Sequence, residues 1–306
     1  MPRLTASDRR KRLRAHLYGS RCVQPATVFD ALSARIADIL GFEFGMLPGS
    51  VASAMTLAAP DLTLITLTEL VGHARQITRT SNISLIVDAD HGYGNALNVA
   101  RTVEELESAG ASALSIEDTL LPTPFRPSPA EAMAREGRPQ HSAKFISTDE
   151  MVGKLRAALE ARIDPSLVVA GRTGSLSTEG VEGAVERVRA YTDAGVDAIF
   201  LTGVKTRQEL EAIHAATPLP LLIGGPPPAL ADLDVLASLG VRIALKGHVV
   251  LPMVVQAMYD ALKSQKEGRP SDTLRDRTAS AQLMEQVLSQ EKYARWQKDF
   301  LGSDEG

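Results

Sequence analysis

Ile83-Ser84-Leu85-Ile86-Val87-Asp88-Ala89-Asp90-His91-Gly92-Tyr93-Gly94-Asn95 passes from an apolar run to paired aspartates and then to a glycine-rich turn. The run from Ile83 to Val87 predicts a buried strand that the glycines end abruptly. Side chains on a strand alternate with period two, so Asp88 and Asp90 are expected on one face. Two carboxylates side by side repel each other and resist desolvation unless a cation lies between them. A hard divalent ion with oxygen ligands, Mg²⁺ or Mn²⁺, meets that need. For the Asp-x-Asp motif alone, a solvated turn is the plainer alternative.

Upstream of this stretch, a polar N-terminal helix carries Arg9, Arg10, Lys11, Arg12 and Arg14 with no apolar segment behind it. It reads as a charged helix face rather than a signal peptide. Cys22 to Phe29 is expected to be a first strand ending at Asp30, followed by a helix from Ala31 to Leu40. A second strand, Phe44 to Leu47, runs into Pro48-Gly49-Ser50, and Thr66 to Thr80 is the next helix. Downstream, Ala96 to Ala109 is an amphipathic helix closed by Gly110, and Ala111 to Ile116 is a strand ending in Glu117-Asp118. A polar, proline-containing loop from Thr119 to about Ser147 has the length of a lid or a disordered segment. Helices opening at Thr148, Glu179, Thr206 and Ala229 then alternate with strands at Leu167–Gly171, Ala198–Leu201, Leu219–Ile223 and Val241–Leu245.

Eight strand–helix units without a linker imply a parallel sheet with crossover helices, and their number points to a closed (β/α)₈ TIM-type barrel. An open doubly wound sheet would need a Gly-rich phosphate turn after its first strand, and Asp30-Ala31-Leu32-Ser33 is not one. The chain is expected to be one domain over 1–306, with 271–306 a helical extension that a barrel does not need. Trp296, the only tryptophan, lies there. A net charge of −4 gives no basic footprint for nucleic acid. No apolar stretch approaches the length of a membrane span. A single cysteine, Cys22, excludes an intramolecular disulfide and is expected merely to be buried. Together these features suggest a cytoplasmic protein.

Barrel enzymes build their sites at the carboxyl ends of the strands. Reading only those ends collects Asp30, Ser50, Asp88, Asp90, Glu117, Arg172, Lys246 and His248 on one rim. Each has a structural alternative: Asp30 as a helix cap, Glu117 or Arg172 in a salt bridge, His248 as a satisfied cap. As a set they predict a site. At this point the chain resembles the isocitrate lyase / phosphoenolpyruvate mutase superfamily over nearly its whole length. The resemblance is carried by Val87-Asp88-Ala89-Asp90 with Gly92-Tyr93-Gly94, by Ser115-Ile116-Glu117-Asp118, by Arg172-Thr173 and by Asp61 in Ala59-Pro60-Asp61. It implies a Mg²⁺-dependent barrel acting on small 2-oxo acids through an enolate, and a homo-oligomer, dimer or tetramer, with a terminal helix swapped between subunits.

Departures from the family pattern narrow the expectation. The C–C lyases of this superfamily carry a cysteine acid on the long loop, and none is present here. Leu47-Pro48 replaces a Ser/Thr-Gly pair, and Thr202-Gly203 and Gly224-Gly225 stand where larger polar contacts are usual. A short ligand suits such a rim, and the pattern around Asp61, Asp90–Asn95 and Gly247-His248 is most like the oxaloacetate decarboxylase branch. That resemblance implies Asp88, Asp90 and Glu117 as holders of the metal and Arg172 as the grip on a substrate carboxylate. Gly49 and Ser50 would orient the substrate's other end, and His248 would donate a proton or guide the leaving carboxylate. Three alternatives stay open: another superfamily reaction, such as cleavage of a small 2-hydroxy acid or phosphonopyruvate chemistry; a Schiff base on Lys246; and a protein that binds 2-oxo acids without turning them over.

Overall fold

The computed structural model describes residues 3–122 and 144–302. Eight parallel strands follow in sequence order around one sheet. They are β1 (Ala26–Thr27), β2 (Phe44–Leu47), β3 (Ser84–Asp88), β4 (Ala113–Glu117), β5 (Val168–Thr173), β6 (Ala198–Thr202), β7 (Leu221–Gly224) and β8 (Val241–Leu245). Val23 completes the ring by receiving β8: its N–H donates to the Arg242 carbonyl and its carbonyl accepts from the Ala244 N–H, both at 3.0 Å. The first strand is shorter than the expected Cys22–Phe29. Pro25, inside that stretch, has no N–H to give to a ladder. Cys22 itself is buried, and burial pushes its thiol up to about 11.

The described helices are α1 (Ala6–Leu17), α2 (Ala31–Ile39), α3 (Gly49–Leu57), α4 (Leu67–Thr80), α5 (Ala96–Ser108) and α6 (Thr148–Ala161). They continue with α7 (Gly180–Ala194), α8 (Arg207–Ala216), α9 (Leu233–Ser238), α10 (Val250–Lys266), α11 (Ala281–Leu288) and α12 (Gln290–Leu301). Alternation of the strand side chains creates two apolar layers. One layer, including Leu85, Val87, Leu114, Val169 and Leu201, packs outward under the helices. The other, including Phe44, Met46, Ile86, Ala113, Ala170, Phe200 and Ile243, fills the barrel. Parallel strands buried on both faces need near-continuous apolar runs, which is what these segments supply.

The N-terminal helix corrects one expectation. Leu13 and Leu17 of α1 join the barrel interior, so this helix plugs the mouth at the strands' N-terminal ends. Its arginines do not form a solvated face. Arg10 donates to the Ala111 and Glu107 carbonyls and pairs with Asp164 at 3.0 Å. Arg14 reaches the Leu167 carbonyl and Asp197, and Arg12 reaches Ser84 Oγ and the Glu43 and Asn82 carbonyls. Against a burial penalty, the Ser166 amide and Arg10 hold the Asp164 carboxyl down at about 2. The folded chain therefore binds this proton more weakly than the unfolded chain does. The stability from this contact is complete above pH about 4, the ordinary aspartate value, and is lost as pH falls through about 2. Thermal unfolding of Asp164→Asn is expected to show a flatter acid limb than wild type. Identical limbs would contradict the assignment.

The C-terminal end also departs from expectation. The helix expected from Ala229 divides into a 3₁₀ turn, Pro228–Leu230, and α9. The barrel's own eighth helix, α10, buries only Ser264 and leaves Met253, Val255, Met258, Tyr259 and Leu262 exposed. Of the extension beyond it, α11 rests against α2 and α12 buries nothing. Among the described residues no helix is long and apolar enough to cross a membrane.

Candidate active site at the C-terminal rim

The strand ends bring Asp88, Glu117 and Arg172 together by register. Asp88 of β3 pairs with Ser115 of β4, and Glu117 pairs with Arg172 of β5. Arg172 donates from Nη1 to Asp88 Oδ2 at 2.6 Å, and its Nη2 lies 3.0 Å from Glu117 Oε2. The Phe200 ring supports the guanidinium from below, 5.1 Å from its centroid. Arg172 Nε is buried with no partner among the described residues. The salt-bridge reading of Arg172 is thus realised in this structure, and its fork is engaged by two of the carboxylates expected to hold a metal.

Asp90 joins the site by a different route from the one the alternation suggests. β3 ends at Asp88, and Asp90 has φ +46, in the left-handed region where aspartate is tolerated better than most side chains. The turn carries its carboxylate back over the strand ends. Its backbone N–H donates to Asp88 Oδ1 at 3.3 Å, and its carbonyl accepts from the Glu117 N–H at 2.8 Å. Tyr93, also at positive φ, donates its hydroxyl to Asp90 Oδ2 at 3.2 Å. In the sequence Tyr93 stands out only as part of the motif, because the left-handed turn that aims it is not legible there.

Gly49 is the close neighbour on the other side. A Cβ at this position would stand 2.5 Å from Asp90 Oδ1, so only glycine leaves the carboxylate in place. Gly49 and Ser50 form the first turn of α3. Pro48 is the N-cap and offers no side-chain cap, so the first amides of α3 have no intrahelical partner. The missing N–H of Pro48 lies outside the helix and takes nothing from that set. Such an uncapped helix start favours negative charge.

His248 hydrogen-bonds through Nδ1 to Thr27 Oγ1 at 3.2 Å, a partner that nothing in the sequence marked. Burial lowers its pKa, with Asp88 opposing and Arg172 assisting, a shift that favours the neutral imidazole. Asp30 takes its structural alternative: it caps α2, accepting the Ser33 N–H at 2.7 Å. Lys246 is exposed, whereas His248 is half-buried. Most of the long loop, 123–143, lies outside the described residues, so the lid reading does too.

Burial raises Asp90 well above the usual carboxylate range, and the charges of Asp88, Glu117 and Asp61 push it further against Arg172. Burial likewise raises Glu117, opposed by Arg172. Three carboxylates facing one guanidinium leave an excess of negative charge that one more cation would relieve. No three His, Cys, Asp or Glu side chains among the described residues are drawn together as a preformed metal cluster. The all-oxygen donor set nevertheless suits Mg²⁺, which keeps waters and needs few protein ligands. Asp90 is the carboxylate that Arg172 does not hold. The residues therefore fit a divalent ion.

An eight-stranded barrel with buried acids and one arginine at its C-terminal rim defines a class of enzyme scaffold. The phosphoenolpyruvate phosphomutase family pattern matches residues 13–266, and the chain belongs to that family. It is 51% identical over 295 residues to an oxaloacetate decarboxylase of Rhodopseudomonas palustris, covering 96% of this chain and 98% of that one. Among solved structures it is similar to 2,3-dimethylmalate lyase, a PEP mutase/isocitrate lyase superfamily member, at TM-score 0.80 and 30% identity. That likeness covers 97% of this chain and 96% of the other. A phosphonopyruvate hydrolase in complex with oxalate and Mg²⁺ is also similar, at TM-score 0.80 and 27% identity, covering 97% and 100%.

Proposed function

We propose that the protein is a Mg²⁺-dependent oxaloacetate decarboxylase, releasing CO₂ and forming pyruvate through the enolate. The observation that carries this reading is the 51% identity along nearly the full length of both chains. The rim supports it: buried acids that suit a hard cation, an uncapped helix start for a carboxylate, and small residues at Thr202-Gly203 and Gly224-Gly225. Mn²⁺ would satisfy the same oxygen donors.

In this reading Asp90 is the most direct holder of the ion, with Asp88 and Glu117 beside it, directly or through water. The ion, when bound, supplies Lewis-acid withdrawal at the 2-oxo group. Breaking C3–C4 leaves an electron pair that moves to the C2 oxygen. A proton from solvent then returns to C3 and restores the ketone. Arg172 has the planar fork to hold the substrate's C1 carboxylate once Asp88 and Glu117 are engaged by the ion. The first amides of α3, at Gly49 and Ser50, orient a carboxylate, with Asp90 fixed alongside by Gly49 and Tyr93. His248, with Nδ1 engaged by Thr27, meets the departing carboxylate as a neutral group. An uncharged donor orients that carboxylate without the ionic grip that would hold it back from leaving as CO₂.

Product analysis tests the reading. Oxaloacetate is expected to give pyruvate and CO₂ faster than in the same buffer without protein. Phosphonopyruvate and 2,3-dimethylmalate are expected to be turned over far more slowly. Oxalate plus acetate from oxaloacetate would instead show hydrolysis of C2–C3. Because Lys246 is exposed, borohydride added during turnover is expected to trap no adduct by mass spectrometry. An adduct on Lys246 would favour the Schiff-base route.

A further inference from the structure

One buried charged network takes no part in the mechanism above. Asp118, fully buried at the end of β4, faces away from the barrel mouth, opposite to Glu117 beside it. Its Oδ2 accepts from the Tyr191 hydroxyl at 2.6 Å and from Arg187 Nη1 at 3.2 Å, both on α7. Arg187 is gripped in turn by Glu179, with Nε 2.7 Å from Oε2 and Nη2 2.8 Å from Oε1. The same guanidinium donates to the Ile146 carbonyl at 3.1 Å and stacks over the Phe145 ring. The backbone of Asp118 is tied as well: its N–H donates to the Arg172 carbonyl at 3.3 Å, and its carbonyl accepts from the Ile146 N–H at 2.9 Å.

Glu117 and Asp118 are joined by one planar peptide unit, so a backbone shift that follows the Asp118 side chain displaces the Cα that carries Glu117. Arg172 holds that plane from inside the barrel and Arg187 holds it from outside. A buried carboxylate that loses its cation is strongly unfavourable and moves to find another partner. Moving Asp118 turns the plane and carries Glu117 with it. We propose that Arg187 is a positioning residue of the site: acting through Asp118, it fixes the Glu117 carboxylate, and its loss weakens cation binding although it touches none of the three acids. The inference rests on the reading of Asp88, Asp90 and Glu117 as the cation site.

The test is calorimetric titration of the full-length protein with MgCl₂, without substrate, alongside thermal melts. Arg187→Met is expected to bind Mg²⁺ about 10- to 100-fold more weakly, the usual loss when a group orienting a metal ligand is removed. Arg187→Lys, which keeps a charge near Asp118, is expected to recover part of that affinity. In a Glu117→Gln background, Arg187→Met is expected to cost less than about threefold more, because both changes act through one side chain. If Arg187→Met does not fold, Asp118→Asn carries the same comparison. A folded Arg187→Met with wild-type Mg²⁺ affinity would overturn the inference and leave the proposed function standing, as would full additivity with Glu117→Gln. A purely structural clamp would give those results with a lowered melting temperature. A wild-type protein that binds no Mg²⁺ would overturn the cation reading and this inference together.

Discussion

Asp90→Asn is expected to lower oxaloacetate turnover on the order of a thousandfold while raising the thermal midpoint. The two effects have one cause. Asp90 is buried among Asp88, Glu117 and Asp61, and Arg172 does not contact it. Asparagine keeps the volume, tolerates the left-handed turn at φ +46 and still accepts from Tyr93. It removes only the charge that the metal-free protein is worse off for carrying and that the cation needs. Gly49→Ala is expected to act in the same direction on turnover, since its Cβ would displace Asp90 Oδ1. Steady-state rates and melting curves check both variants. Turnover of Asp90→Asn within tenfold of wild type would remove Asp90 from its assigned place.

The second large effect concerns assembly. The protein is expected to sediment as a dimer or tetramer, and Met253→Glu/Leu262→Glu is expected to shift it to monomer. Those side chains are 66% and 65% exposed on α10, a helix that a self-contained barrel would lay against its own sheet. Tyr293, Trp296 and Phe300 form a second exposed apolar group, on α12. Large apolar side chains exposed together on one helix mark an interface, and burying each contributes about 1.5–3 kcal/mol. Truncation before Ser271 is expected to weaken the assembly too, though less, because α10 remains. Wild-type protein that is monomeric at micromolar concentration would end this reading and, with it, the swapped helix.

Much of the barrel was legible in the sequence, because buried parallel strands must be written as apolar runs. β2 and β8 fall on the expected Phe44–Leu47 and Val241–Leu245. The acids and Arg172 were legible as strand-end residues for the same reason. What was hidden depends on contacts between distant residues or on turn geometry. Pro48-Gly49-Ser50 looks like a loop, yet proline and glycine there open α3 against Asp90. Five basic residues in six positions look solvated, yet Arg10 reaches carbonyls about a hundred residues away. Asp88 and Asp90 do lie together, but Asp90 arrives by a left-handed turn instead of strand alternation. Arg187 carries no motif signal at all. Its meaning lies in Asp118 and Ile146, which only the fold brings beside it.

The most direct measurement is ¹³C NMR of oxaloacetate mixed with purified protein, first in EDTA and then after Mg²⁺ is added in excess. No protein-dependent signal is expected in EDTA. On adding Mg²⁺, pyruvate and bicarbonate should appear faster than in protein-free buffer with the same Mg²⁺, and Asp90→Asn should remove the difference. Protein-dependent pyruvate formation that persists in EDTA, or no acceleration over the Mg²⁺ control, would contradict it.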